Sequence, residues 1–255
     1  MTKPESTRAT ETLHEIESVF DRLAEWVAQN PRIVLALLGV VLTSAAAFGG
    51  YQTWRARREA AASTEVAGIQ ADYRKAMGAK PGQLEIPELA NAEAATATRS
   101  EYATRLQDAA DRLAGTRAGL TARLEEGTLR AELGDSKAAL AAWRRAAEDA
   151  PIGSPLEAIA QTRLAAGLEA GGDPAAAAEA YLSAGRIAAF PGRVLALGDA
   201  ARCLAQAGQN ERALEVFGGL SAEDVKQLPV YVAAQLAELR IRVRGAAPGP
   251  APAAP

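Results

Sequence analysis

The 255-residue chain has little of the chemistry on which most catalytic and metal sites depend. It contains one cysteine, Cys203, and one histidine, His14. It can therefore form neither an internal disulfide nor a zinc site of the usual Cys/His type. The sequence also lacks a Gly-rich phosphate loop, an HExxH motif, a nucleophile elbow and a CxxC pair. These absences predict a protein that is not an enzyme and that binds no cofactor or metal. They also favour a packing role for Cys203 over a redox role.

Aromatic residues and net charge are scarce as well. Aromatics make up 5% of the chain, and 28 Lys and Arg residues nearly balance 31 Asp and Glu residues. Nucleic-acid-binding proteins usually carry a clustered basic excess, so no nucleic-acid partner is expected. What the chain has in abundance is alanine, with 62 residues. Because alanine favours helices and lets them pack closely, the composition predicts an all-α fold.

One long uncharged run occupies residues 33–54, IVLALLGVVLTSAAAFGGYQTW, between Arg32 and Arg55. As a helix it would measure about 33 Å, close to the thickness of a bilayer's hydrocarbon core. Trp26 precedes it, and Tyr51 and Trp54 stand at its C-terminal end, where interfacial anchors are expected. The run predicts a single transmembrane helix in contact with membrane lipid.

Two questions about this segment stay open at the level of sequence. Ala45-Ala46-Ala47 would suit a signal-peptide cleavage site, but the 32 preceding residues are long and acidic, which favours an uncleaved signal anchor. Arg55, Arg57 and Arg58 follow the run, and the positive-inside rule would then place the C-terminal side in the cytoplasm.

The rest of the chain divides by composition. We predict a polar, amphipathic N-terminal segment over residues 1–32, with a helix over residues 13–29, and the transmembrane helix over 33–54. A juxtamembrane helical region follows over 55–116, then helical repeats with a capping helix over 117–244 and a disordered Pro/Ala-rich tail over 245–255.

The repeats rest on three segments with one shared pattern, 133–151, 171–191 and 207–220. Each has a glycine, an alanine five residues later and an aromatic four residues further on. The glycine is expected to end the first helix of a pair in a left-handed conformation, and the alanine to lie where the two helices cross. The repeat spacings of 38 and 36 residues are typical of stacked helix pairs. The three sets are Gly134, Ala139 and Trp143; Gly172, Ala177 and Tyr181; and Gly208, Ala213 and Phe217.

This pattern resembles the tetratricopeptide repeat. Its small-residue position in the preceding helices falls on Gly127, Ala165 and Ala201, although Arg130 departs from the large apolar residue expected three positions on. The resemblance implies a tetratricopeptide-like α-solenoid, closed by a capping helix over residues 229–244. Aligned on the repeat, the candidate residues of a protein-binding groove are Leu124, Thr128, Glu132, Thr162, Glu169, Arg202 and Gln206.

Adjacent carboxylates and pairs of small residues also lead to structural predictions. Adjacent carboxylates, Glu125-Glu126 and Glu148-Asp149, are expected on solvated helix faces rather than as acid–base pairs. In the membrane run, Ala45 and Gly49, like Ala46 and Gly50, form small-xxx-small pairs that let a second helix approach, so homo-oligomerisation is a further possibility.

The arrangement as a whole resembles the YfgM type of ancillary subunit of the bacterial Sec translocon. The corresponding stretches are FDRLAEWVAQNPR and AAFGGYQTWRARREAAAS, followed by EVAGIQADYRKAM and LAGTRAGLTARLEEGTLRAELGD. The resemblance implies a bacterial inner-membrane protein with a periplasmic C-terminal domain. Its implied partners are the Sec translocon, a periplasmic chaperone or an exported polypeptide.

The sequence is consistent with three functions. The first is a membrane-anchored adaptor that binds protein partners transiently, with micromolar affinity. The second is an oligomeric scaffold for cell-envelope assembly. The third keeps the repeats in the cytoplasm as a membrane-tethered scaffold, as the positive charges after the membrane run would favour.

Overall fold

The fold is all-helical, as the composition predicts. A computed structural model describes residues 22, 25–83 and 85–246, with side chains as far as residue 241. Helix accounts for 79% of the structure, and the described residues contain no β-strand. The predictions for residues 1–21 and for the tail after residue 246 lie outside the described residues.

Ten helices follow one another along the described chain after a short helical stretch at residues 25–29. They are α1 (Pro31–Ala76), α2 (Ala92–Arg112), α3 (Arg117–Glu132), α4 (Ser136–Asp149), α5 (Pro155–Ala170), α6 (Pro174–Gly185), α7 (Arg193–Gln206), α8 (Asn210–Gly218), α9 (Ala222–Gln227) and α10 (Val230–Ala246).

Helix α1 is long and apolar enough to cross a membrane. Large apolar side chains along residues 33–54 are exposed, among them Leu35, Val41 and Phe48. The Thr43 hydroxyl donates to the carbonyl of Gly39, and that of Thr53 to the carbonyl of Gly49, each at 2.8 Å. These polar groups are thus satisfied within the helix, which is what an apolar surrounding requires.

The chain divides into two compact units, Met1–Arg58 and Glu59–Pro255. The second, called here the helical unit, begins inside α1. There Ala62, Val66 and Ile69 are buried in an apolar cluster with Tyr102 and Leu106 of α2. Residues 59–76, which the sequence assigns to a juxtamembrane region, are therefore the first helical layer of this unit.

Short sequence signals start and end the helices. Asp135 and Asp173 cap α4 and α6, each accepting a hydrogen bond of 3.0 Å from a backbone N–H three residues on. The glycines before them adopt a left-handed conformation, with φ of 79° at Gly134 and 82° at Gly172, and Gly208 does the same at 76°. This confirms the predicted break between the helices of each pair.

From α2 to α8, each helix packs on the next one in the chain, and α3 also contacts α5. Trp143 of α4 lies between two glycines of neighbouring helices. A Cβ at Gly127 would stand 2.3 Å from its Nε1 atom, and a Cβ at Gly167 would stand 2.6 Å from its Cζ3 atom. The two glycines thus provide the space in which one large ring joins α3, α4 and α5.

The predicted small crossing residues are buried: Ala139, Ala177 and Ala213 are at most 1% exposed. Of the three aromatics, Trp143 and Tyr181 are buried, whereas Phe217 is only half-buried. The third pair is therefore packed more loosely around its aromatic residue. It is followed by α10, which packs on α7 and α8 through Val232, Leu236 and Leu239.

Candidate functional site

The predicted groove residues lie on α3, α5 and α7, the first helices of the three pairs. On α3, Leu124 is buried, and its carbonyl accepts hydrogen bonds from the Trp143 indole and the Thr128 hydroxyl, both at 3.1 Å. Leu124 belongs to the core cluster that surrounds Trp143. The structure therefore places it inside the protein rather than on a face that a partner reaches.

Glu132, at the end of α3, is bound to the preceding helix. Its carboxylate accepts a hydrogen bond of 3.0 Å from Nε of Arg99 in α2, and the same guanidinium pairs with Glu88. The Arg99 hydrogen bond holds the pKa of the Glu88 carboxyl below its ordinary value. Glu132 thus has an intramolecular partner that the repeat alignment does not reveal.

Glu169 and Arg202 are brought together by the fold. The Arg202 guanidinium forms a two-pronged pair with the Glu169 carboxylate, with Nη2 to Oε2 at 2.8 Å. It also bonds Asp199, one turn earlier on α7, at 3.1 and 3.2 Å. The hydrogen bond from Arg202 lowers the pKa of Glu169, while burial raises that of Asp199. The pair joins α5 to α7 and satisfies the charges that the sequence offers to a partner.

Cys203 lies beside this ionic group and is fully buried. Burial is the main cause that raises the pKa of its thiol to about 12. A buried thiol that stays protonated at neutral pH is a poor nucleophile. The geometry favours the packing role for Cys203.

The two remaining groove candidates differ from each other. Thr162 of α5 is half-buried, and its hydroxyl donates to the carbonyl of Ala158 at 2.8 Å. Gln206, at the end of α7, is exposed. Of the seven candidates, Gln206 is thus the one with an exposed polar side chain and no hydrogen bond among the described residues.

The structure points to two residues on these helices that sequence reasoning missed. Ile159 of α5 is 39% exposed and Leu195 of α7 is 44% exposed. Each stands six positions before the small residue of its helix, Ala165 or Ala201, so they occupy the same place in successive predicted repeats. The repeat alignment already places these two residues at equivalent positions. A helical pattern alone, however, does not say which apolar residues a neighbouring helix covers.

A buried polar group lies between α2 and α3, where sequence reasoning expects solvated charges. Arg123 pairs with Asp111 and lies 3.5 Å from Glu126, and Arg130 donates to Gln107 at 3.1 Å. Glu126 is buried, and burial raises the pKa of its carboxyl.

For Glu126 the expectation of a solvated face is wrong, because α2 covers that side of α3. Glu125, the adjacent carboxylate, is half-buried and accepts a hydrogen bond of 2.6 Å from Gln70. Glu148 and Asp149 are exposed, as expected.

Within the part of the chain that the structure describes, no three metal-ligating side chains come together. The described residues instead define an all-helical protein with one helix of membrane-spanning length and apolarity. Comparison of the sequence with models of protein families gives no match, and comparison with curated proteins gives none either.

Proposed function

We propose that the chain is a membrane-anchored adaptor without catalytic activity. In this proposal the first unit anchors the protein through α1, and the helical unit is a tetratricopeptide-like solenoid that binds protein partners. The observation that carries the proposal is the exposure of Ile159 and Leu195 at one repeat position on α5 and α7. Equivalent exposed apolar residues on successive first helices are what a repeat groove offers to a chain that lies along it.

The assignment to tetratricopeptide-like repeats draws support from the packing. Positive-φ glycines, buried alanines at the crossings and an aromatic residue between helices recur with the predicted spacing. Such a stack binds partners on an extended surface rather than in a closed pocket.

The electrostatics of the face narrow the kind of partner. Glu169 and Asp199 both pair with Arg202, and Glu132 is paired with Arg99. A face whose charges are satisfied internally gains little from a strongly charged partner. We therefore expect a weakly charged, partly apolar segment to bind transiently with micromolar affinity.

The resemblance to the YfgM-type subunits suggests a cellular location and partners for this adaptor. On that basis we propose a bacterial inner-membrane protein with its helical unit in the periplasm, ancillary to the Sec translocon. The partners would be translocon subunits, a periplasmic chaperone or an exported polypeptide.

The test is capture of translocon subunits from detergent-solubilised membranes by the full-length chain. Ile159→Asp with Leu195→Asp should lower capture roughly tenfold, because two central apolar contacts are lost. Ile152→Asp is the matched control, since Ile152 is 97% exposed in the loop before α5. Undiminished capture by the double variant would contradict the proposed groove, as would undiminished capture by a chain truncated after Pro191.

One observation favours a second candidate, a membrane-tethered cytoplasmic scaffold. Arg55 and Arg57 follow the apolar part of α1, and neither is paired with a carboxylate among the described residues. Positive charge on this side is typical of a cytoplasmic flank. An oligomeric cell-envelope scaffold is the other alternative, which helix contacts through Ala45 and Gly49 would support.

A further inference from the structure

Helix α10 is apolar on two opposite sides. Its inner side packs on the helical unit through Val232, Leu236 and Leu239. On its outer side Val230 is 86% exposed and Ile241 is 74% exposed. An apolar outer side is unusual for the helix that caps a solenoid, because such a helix normally turns a polar face outward.

The outer side has a regular layout. Val230, Ala234, Ala237 and Ile241, called here the outer stripe, are all exposed. At about 100° per residue they fall within an arc of roughly 60°, directly opposite the buried side chains. The stripe is therefore a continuous surface along the helix rather than a scatter of apolar residues.

The stripe is also self-complementary. Its spacings of four, three and four residues read the same in both directions, with the large side chains at the ends and the alanines in the middle. Against an antiparallel copy, Val230 would face Ile241 of the partner subunit, and Ala234 would face Ala237 of the partner subunit. Such residue-for-residue reciprocity is the property of a two-fold interface.

We propose that the outer stripe of α10 is a dimer interface with a second copy of this chain. The paired alanines let the helix axes approach closely, and the large residues at either end close over them. Tyr231, which is 61% exposed at the edge of the stripe, then lies beside Glu238 of the partner subunit. Its hydroxyl can donate a hydrogen bond to that carboxylate.

The size of the interface fits a dimer formed on a membrane. Two helices of 17 residues bury less than the roughly 1,200 Å² of a standard stable interface. Two copies anchored in one bilayer share an orientation and a high effective concentration, which compensates for a small interface. This step rests on the proposed anchor, whereas the stripe itself does not.

The first test measures the oligomeric state of the full-length chain in detergent and in lipid vesicles. The wild-type chain should be dimeric in vesicles, and Val230→Glu or Ile241→Glu should weaken self-association at least roughly tenfold, because the two-fold axis pairs each new charge with an apolar side chain. Ile152→Glu, which introduces the same charge at another highly exposed isoleucine, should leave the dimer unchanged. A wild-type chain that is monomeric in vesicles, or a dimer that survives both stripe variants, would overturn the proposal.

A second test locates the contact without disturbing it. Ala234→Cys should form a cross-linked dimer with a short bismaleimide reagent, whereas Ala141→Cys, exposed on α4, should not. The wild-type chain is a further control because its one thiol, Cys203, is buried. If residues 247–255 cover the stripe instead, their removal will raise the reactivity of Ala234→Cys while the full-length chain stays monomeric, and that result also refutes the proposal.

Discussion

The two ends of the helical unit are closed by different chemistry. At the N-terminal end, residues 59–76 of α1 contact α2 and α3 through four polar side chains as well as an apolar row. At the C-terminal end, Leu228, between α9 and α10, and Val232 and Leu236 of α10 cover α7. Directional hydrogen bonds therefore dominate one end of the unit, and apolar burial dominates the other.

The polar closure is made of specific bonds. The Glu59 carboxylate accepts hydrogen bonds from the backbone N–H groups of Arg117 and Ala118, at 3.1 Å each, at the start of α3. Gln70 donates to Glu125 at 2.6 Å, and Glu65 and Asp72 pair with α2 arginines. Because hydrogen bonds are directional, they fix the register in which α1 enters the unit.

The apolar closure depends on area and fit. Leu228 packs so closely on α7 that its Cδ2 atom lies 2.4 Å from where a Cβ at Gly198 would be. Val232 and Leu236 are each 1% exposed. Such burial is not directional, so it supplies stability without fixing the register of the helices.

The largest expected effect is at the apolar end. Leu236→Ala should lower the free energy of unfolding by about 2–5 kcal/mol, because it leaves a cavity in a fully covered site. The loss should not depend on salt. Chemical denaturation with Gln235→Ala, an exposed neighbour, as control measures it, and a loss below about 1 kcal/mol would mean that α10 contributes little stability.

The next effect is at the polar end. Glu59→Ala should cost about 1 kcal/mol, since it removes the acceptor from two N–H groups at the start of α3. Glu59→Gln keeps an acceptor oxygen and should lose less. Equal losses in the two variants, measured in the same denaturation experiment, would show that the hydrogen bonds to α3 do not matter.

Glu125 makes the polar closure dependent on pH. Burial raises the pKa of this carboxyl above its ordinary value, against the lowering effect of the Gln70 hydrogen bond. Its contribution to stability is therefore full below the ordinary pKa and is lost as the pH rises through the raised pKa. Glu125→Gln should be slightly more stable than the wild-type chain at pH 7, by less than about 1 kcal/mol, and the gain should vanish in acid. Unfolding curves from pH 4 to 8 measure this difference, and a gain that grows in acid would reverse the assigned cause.

The smallest effect is expected for a surface ion pair. Arg112 and Glu65 approach to 2.6 Å, but their side chains are 59% and 40% exposed. Arg112→Ala should cost no more than about 0.5 kcal/mol, and less at high salt. A salt-independent loss above 1 kcal/mol would show that this pair is structurally more important than its exposure suggests.

Local sequence patterns predict many of the helix breaks and some of the buried positions. Gly134 and Asp135 mark a helix break by conformation and capping, and the buried place of Ala139 follows from the repeat. The pairing of Glu169 with Arg202 could not be predicted, because it depends on how far apart α5 and α7 lie. The burial of Glu126 was missed for the same reason, since its own helix does not specify that α2 covers it.

The candidate groove was the least predictable feature. The repeat register pointed to α3, α5 and α7, but it placed Leu124 outside and overlooked Ile159 and Leu195. Whether a side chain is exposed depends on the helices that pack against it, and the residue pattern of a single helix does not show where those helices lie.

Membrane topology tests directly whether the chain is an anchored adaptor with its repeats outside the cytoplasm. Alkaline phosphatase and green fluorescent protein are each fused after residue 245. Repeats outside the cytoplasm would give phosphatase activity without fluorescence, which is the expected result. Fluorescence without phosphatase activity would contradict it, show that Arg55, Arg57 and Arg58 mark a cytoplasmic flank, and leave the cytoplasmic scaffold in its place.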